Sequence, residues 1–163
     1  MDEKEKKQIE RRSEKHKLVR ELVKKAKNLC YSFFNEEYSY STVEAVEELG
    51  LDEELIEHLV KDYVAQIIKS VIVFEEYIYE LQSNKDAKQV LDYTNVRELA
   101  HKNLGVARNL RIKDGEKLLH DLMHEDDLEY LFKCIEVLRA CAIRLKPLHA
   151  YHTIKLIEIK STF

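Results

Sequence analysis

Apolar residues recur every three and four positions along most of the chain, a spacing that gathers them on one side of an α-helix. Val19, Leu22, Val23, Ala26, Leu29, Cys30 and Phe33 keep this rhythm and predict a long helix from residue 3 to about 36, although its first dozen positions are almost entirely polar. The segment "NEEYSYS" breaks it. Ser41 or Thr42 then caps a short helix to about Leu49, Gly50 ends that helix, and Asp52 caps the next. This next helix, "EELIEHLVKDYVAQIIKSVIVFEEYIYELQ", spans roughly 45 Å at the usual rise and stops at "SNKD". Further helices are predicted over about 87–112, 114–124 and 126–145, the last ending before Pro147. The tail "YHTIKLIEIKSTF" fits two patterns. Ile154 and Leu156 alternate as in a strand that would pair with "YSYSTV", whereas Tyr151, Ile154 and Ile157 fit a helix edge.

Short connections between long amphipathic helices make antiparallel neighbours. The expected fold is therefore all-α: an up-and-down antiparallel four-helix bundle over 41–146, a long N-terminal helical extension over 1–40, and a C-terminal tail over 147–163. Composition agrees, with one proline and three glycines among 163 residues. No run of 18 apolar residues occurs, and "MDEKEKKQIERR" lacks the apolar segment of a signal peptide, so a soluble, cytoplasmic protein is expected. Cys30, Cys134 and Cys141 match no CxxC spacing and read as reduced, buried side chains. Cys134 and Cys141 share a helix face with Leu131, Leu138 and Leu145, and Tyr63, Ile67, Phe74 and Ile78 also fall together as bundle interior.

Charge changes the picture at one end. Residues 1–28 hold eleven Lys or Arg and six Asp or Glu, a net +5, so the other 135 residues carry −9 of the overall −4. An acidic body argues against nucleic acid as a partner, and the interleaved charges of the first helix read as a solvated face. The stripe from Val19 to Phe33 still has to be buried. It packs along the bundle in cis, pairs with its copy in a homodimer, or lies on a membrane surface; stable membrane insertion is not expected.

Candidate chemistry centres on "RELAHKNLGVARNLRI", residues 97–112. On a wheel of about 100° per residue, Val96, Leu99, Val106 and Leu110 fall opposite His101 and form the predicted core stripe. His101 then faces solvent together with Thr94, Arg97, Glu98, Gly105 and Arg108. Glycine inside a helix costs about 1 kcal/mol relative to alanine. Because helical side chains lean toward the N-terminus, any side chain at 105 would cover the turn that presents His101, and Gly105 removes that cover. An accessible imidazole flanked by Arg97, Lys102 and Arg108 suits phosphoryl chemistry: the neutral ring is nucleophilic near pH 7, and cations hold the phosphoryl oxygens.

These residues resemble a known family. "LAHKNLGVARNL" is similar to the signature helix of histidine-containing phosphotransfer domains, in which glycine follows the histidine at the fourth position and an Asn-Leu pair closes the motif. The likeness extends to "ELGLDEELIEHLVKDYVAQIIKSVIVFEEYI" before it and to "DGEKLLHDL" and "DDLEYLFKCIEVLRACAIRL" after it, about residues 42–146 in all. The resemblance implies a phosphorelay carrier in two-component signalling, not an independent enzyme. His101 would take the phosphoryl group from the aspartate of a receiver domain and return it to another, with response regulators and hybrid or histidine kinases as partners and no cofactor. Arg97, Lys102, Leu104, Gly105 and Arg108 would attend the phosphate or the docked receiver. Where the family carries an apolar residue and then a lysine, this chain has Asn103 and Leu104. Asn103 falls on the core side of the helix and requires a buried hydrogen-bond partner.

Two further readings come from other residues. A helical adaptor of the same shape would bind a receiver or other signalling protein without carrying phosphate, with Leu104 in its docking patch. His120 and His124, at i and i+4 in "HDLMH", would serve a metal-binding bundle, joined by His149 and His152 if the tail folds back. Polar histidines at a helix end also suit the C-terminal carbonyls, and no metal is expected. Gly-rich phosphate loops, a Ser-His-Asp order and paired catalytic carboxylates are not found in the sequence.

Overall fold

The computed structural model describes residues 1–161. Among them are seven helices and no strand: α1 Glu3–Phe34, α2 Val43–Leu49, α3 Glu53–Asp86, α4 Thr94–Asn109, α5 Lys113–His124, α6 Leu128–Leu145 and α7 Pro147–Ser161. The chain is all-α.

Local chemistry explains the boundaries. Asp2 and Asp52 accept from the backbone N–H three residues on, Glu5 at 2.7 Å and Leu55 at 2.8 Å, which satisfies donors that an open helix end leaves bare. Asp127 does the same for Glu129 and Tyr130 at the start of α6. Gly50 ends α2 at φ 67° and Asn35 ends α1 at φ 55°, both in the left-handed region where these residue types are tolerated.

The core lies between α3, α4, α5 and α6. Each of these helices contacts two of the others in sequence, and α6 closes back on α3. Ile56, Val60, Ile67 and Phe74 of α3 meet Leu131, Ile135 and Leu138 of α6 in this interior, with Leu118, Leu119 and Leu122 from α5. All ten are at most 1% exposed, so each contributes close to the full ~1.5–3 kcal/mol of a buried aliphatic or aromatic side chain.

The N-terminal helix packs in cis over its second half. Ala26 and Cys30 are buried, Leu22, Leu29 and Phe33 lean on the core, and α1 contacts α6 and α7. Its first half is almost wholly exposed, as the polar opening predicts. The tail resolves to helix: Pro147 stands at the first position of α7, where its missing N–H costs nothing, and Ala150 and Thr153 are buried against the body. Phe163 and Thr162 of that segment lie outside the described residues.

The predicted boundaries around α4 move, as does the end of α3. The helix expected over 87–112 begins only at Thr94, because α3 runs on to Asp86 and the chain turns through Lys88 at φ 57°. Asp92 then starts α4 by accepting from both the backbone N–H of Thr94 (3.0 Å) and its hydroxyl (2.5 Å). The two hydrogen bonds, the hydroxyl's the stronger, hold the Asp92 carboxyl below its usual range.

Candidate functional site

The exposed face of α4 is set by what its other face buries. Val96, Ala100, Asn103, Ala107 and Leu110 follow a four-three spacing along the inner side, with Leu104 beside them. Asn103 has the partner it requires: its amide nitrogen donates to Ser70 Oγ at 3.1 Å and to the Leu99 carbonyl at 3.0 Å. Gln66 donates to the same hydroxyl at 3.2 Å. This short polar chain between α3 and α4 penalises rotation of α4 about its axis, since turning it would bury Asn103 unpaired. The direction of His101 is thereby fixed from the far side of the helix.

His101 is exposed, and so are Lys102, Gly105 and Arg108. A methyl group built at Gly105 would meet nothing within 4 Å. Neither packing nor backbone conformation within the described residues explains a glycine there. Arg108 points its Nε at Glu116 Oε1, 3.6 Å away across to α5.

Two of the expected attendants are not available. Leu104 is 1% exposed and belongs to the core, so it forms no part of a docking patch. Arg97 is half-buried, and one guanidinium nitrogen donates to the carbonyls of Leu122 and Glu125, each at 2.7 Å, while the group lies 4.7 Å from the Tyr93 ring centroid. It therefore closes the C-terminal end of α5, where carbonyls lack helical partners and a cation is favoured. The stripe also differs from the predicted one. Val106 is 42% exposed, and Ala100 and Ala107 take the inner positions instead, because small side chains allow α4 close to its neighbours. The four-three spacing from Val96 to Leu110 marks that face in the sequence, although Val106, off it, is more hydrophobic than either alanine on it.

Beside this face a recess of about 410 Å³ opens between α2, α3 and α4, lined by Leu49, Leu59, Tyr63, Val106 and Leu110 among others. A larger cavity, about 980 Å³, lies elsewhere and has no α4 residue in its wall. His120 and His124 stack with ring centroids 4.3 Å apart, and a ring nitrogen of His124 lies 2.9 Å from the His120 carbonyl. Neither they nor His149 and His152 join a group of three or more metal-ligating side chains among the described residues. No helix among those residues is long and apolar enough to cross a membrane.

No protein-family model, no curated protein and no solved structure matches the chain.

Proposed function

We infer that the protein is a phosphoryl carrier of the histidine-containing phosphotransfer kind, with His101 as acceptor and α3 to α6 as an antiparallel four-helix bundle that holds it. The observation that carries this reading is Gly105, one turn beyond His101: it costs the helix about 1 kcal/mol, no contact among the described residues calls for it, and it leaves the imidazole clear for a large partner. In the transfer step a neutral ring nitrogen of His101 attacks the phosphorus of an aspartyl phosphate on a receiver domain. The N–P bond forms as the acyl-phosphate P–O bond breaks, and the aspartate carboxylate leaves with the electron pair. Lys102 and Arg108 are the cations left to steady the phosphoryl oxygens, so transfer is expected to be slow beside a site with a dedicated lysine.

The test is transfer of labelled phosphate from a panel of phosphorylated receiver domains to the wild type and to His101→Gln. Acid-labile label on the wild type alone supports the carrier. A second reading, the adaptor that binds receivers without carrying phosphate, draws on the engagement of Arg97 with the end of α5, which thins the cationic surround of His101. Receiver binding by both proteins with label on neither favours it, and neither label nor binding removes both.

A further inference from the structure

The three cysteines are not alike. Cys30 on α1 and Cys141 on α6, 111 residues apart in sequence, place their sulfur atoms 3.4 Å from each other in the interior. Cys134, two turns before Cys141 on the same helix, is buried beside Tyr130, and burial pushes its thiol up to about 11. One member of the pair stands at the wall of the 980 Å³ cavity. Cys141 lines that cavity directly, and Lys27, Asn28 and Tyr31 from the turn of α1 that carries Cys30 line it as well. Arg144, one turn beyond Cys141, shares the wall and is ion-paired at 2.6 Å with Asp114.

We propose that Cys30 and Cys141 are an oxidisable thiol pair that closes to a disulfide on exposure to a peroxide reaching Cys141 through the cavity, stapling α1 to α6. Bringing sulfurs already in van der Waals contact to the ~2.05 Å of a disulfide takes about 1.4 Å of movement, within the reach of side-chain torsions. The two groups also divide the work. The hydrogen bond from Cys141 and, after it, the charge of Arg144 lower the Cys30 thiol, which suits Cys30 to be the attacking sulfur of the closing step. The Cys141 thiol gives up its proton as its sulfur attacks one oxygen of hydrogen peroxide; the O–O bond breaks, and the departing oxygen takes that proton and leaves as water. The product on Cys141 is a sulfenic acid. The Cys30 sulfur then attacks that sulfur, the S–O bond breaks, and water leaves with the Cys30 proton. Two electrons have moved from the sulfurs to the peroxide, and one S–S bond has formed.

The test uses the full chain, reduced and then treated with hydrogen peroxide, unfolded, and alkylated at free thiols before mass analysis and peptide mapping. Reduced wild type takes three alkyl groups. Oxidised wild type is expected to take one, on Cys134, and to yield a linked peptide joining Cys30 and Cys141; oxidised Cys134→Ser takes none. Cys30→Ser and Cys141→Ser should form no intramolecular link. The oxidised wild type should also melt at a higher temperature than the reduced protein, a rise absent from Cys30→Ser. Three alkylatable thiols after treatment, a link through Cys134, or links only between chains would overturn the proposal.

Discussion

The outer face of α4 and the inner face of α5 lie ten residues apart in sequence and each carries a glycine, yet the two glycines answer to opposite demands. A methyl group at Gly105 would meet open space. At Gly115 it would run into the hydroxyl of Tyr63, a residue buried in the core. Gly115 is thus accounted for by packing, and Gly105 is not. The same contrast runs through the charges. On α5, Asp114 and Asp121 are buried and tied to Arg144, Lys117 and Tyr130. On α4, His101 and Lys102 stand free in solvent. A polar or special residue that the fold consumes says little about function; one that the fold does not consume is where a role beyond the fold can be tested.

The largest expected effect is on the consumed side. Arg144→Met leaves Asp114 buried beside the cavity without its cation, a change expected to cost about 3 kcal/mol. Urea unfolding would measure it, and a loss of well under 1 kcal/mol would mean that water in the cavity solvates Asp114 without help. Gly115→Ala comes next, at about 1–3 kcal/mol, through overpacking against Tyr63. Tyr63→Phe removes the atom in the way, so in the double variant much of that loss should return. If the two losses simply add, the neighbouring helices are giving way by another route and the contrast with Gly105 weakens.

A smaller effect depends on pH. Burial alone would raise the Asp121 carboxyl, but hydrogen bonds from Lys117 and Tyr130 outweigh it and hold the group below its usual value. A carboxyl lowered in the folded state adds stability that is fully present above its unfolded value, near 4, and is lost as pH falls through the folded value. Asp121→Asn should therefore unfold more easily at neutral pH and lose less further stability on acidification. Parallel acid limbs for the two proteins would show that other carboxyls carry the transition.

Much of this was visible in the sequence because it rests on local rules. Asp52 before an apolar run, Gly50 after one, and the three-and-four rhythm of α3 and α6 each report on a few neighbouring residues, and each predicted element is present. What escaped depends on residues far apart in the chain. Arg97 reads as a cation beside His101 until the end of α5, 25 residues on, is seen beneath its guanidinium. Leu104 reads as surface until Ala100 and Ala107 are seen to let α4 settle inward around it. Cys30 and Cys141 give no spacing to recognise, since only the docking of α1 on α6 brings them together. Asn103 was the exception. Its position on the core side of the wheel already demanded a partner, though nothing local said that it would be Ser70.

The smallest expected effect on stability is the sharpest test of the contrast. Gly105→Ala adds a methyl group where nothing stands and replaces a poor helix former with the best, so the folded state should gain up to about 1 kcal/mol. If His101 is a phosphoacceptor approached over Gly105, the same substitution should slow phosphate transfer, and Gly105→Leu should slow it further. An ångström of misplacement at a reacting atom costs on the order of a hundredfold in rate. Stability and transfer would then move in opposite directions, the mark of a residue kept for a partner at the fold's expense. Should both variants accept label as fast as the wild type while gaining stability, clearance over His101 would not be the reason for the glycine, and the unpartnered face of α4 would have to be explained by Lys102, Val106 and the apolar recess beside them.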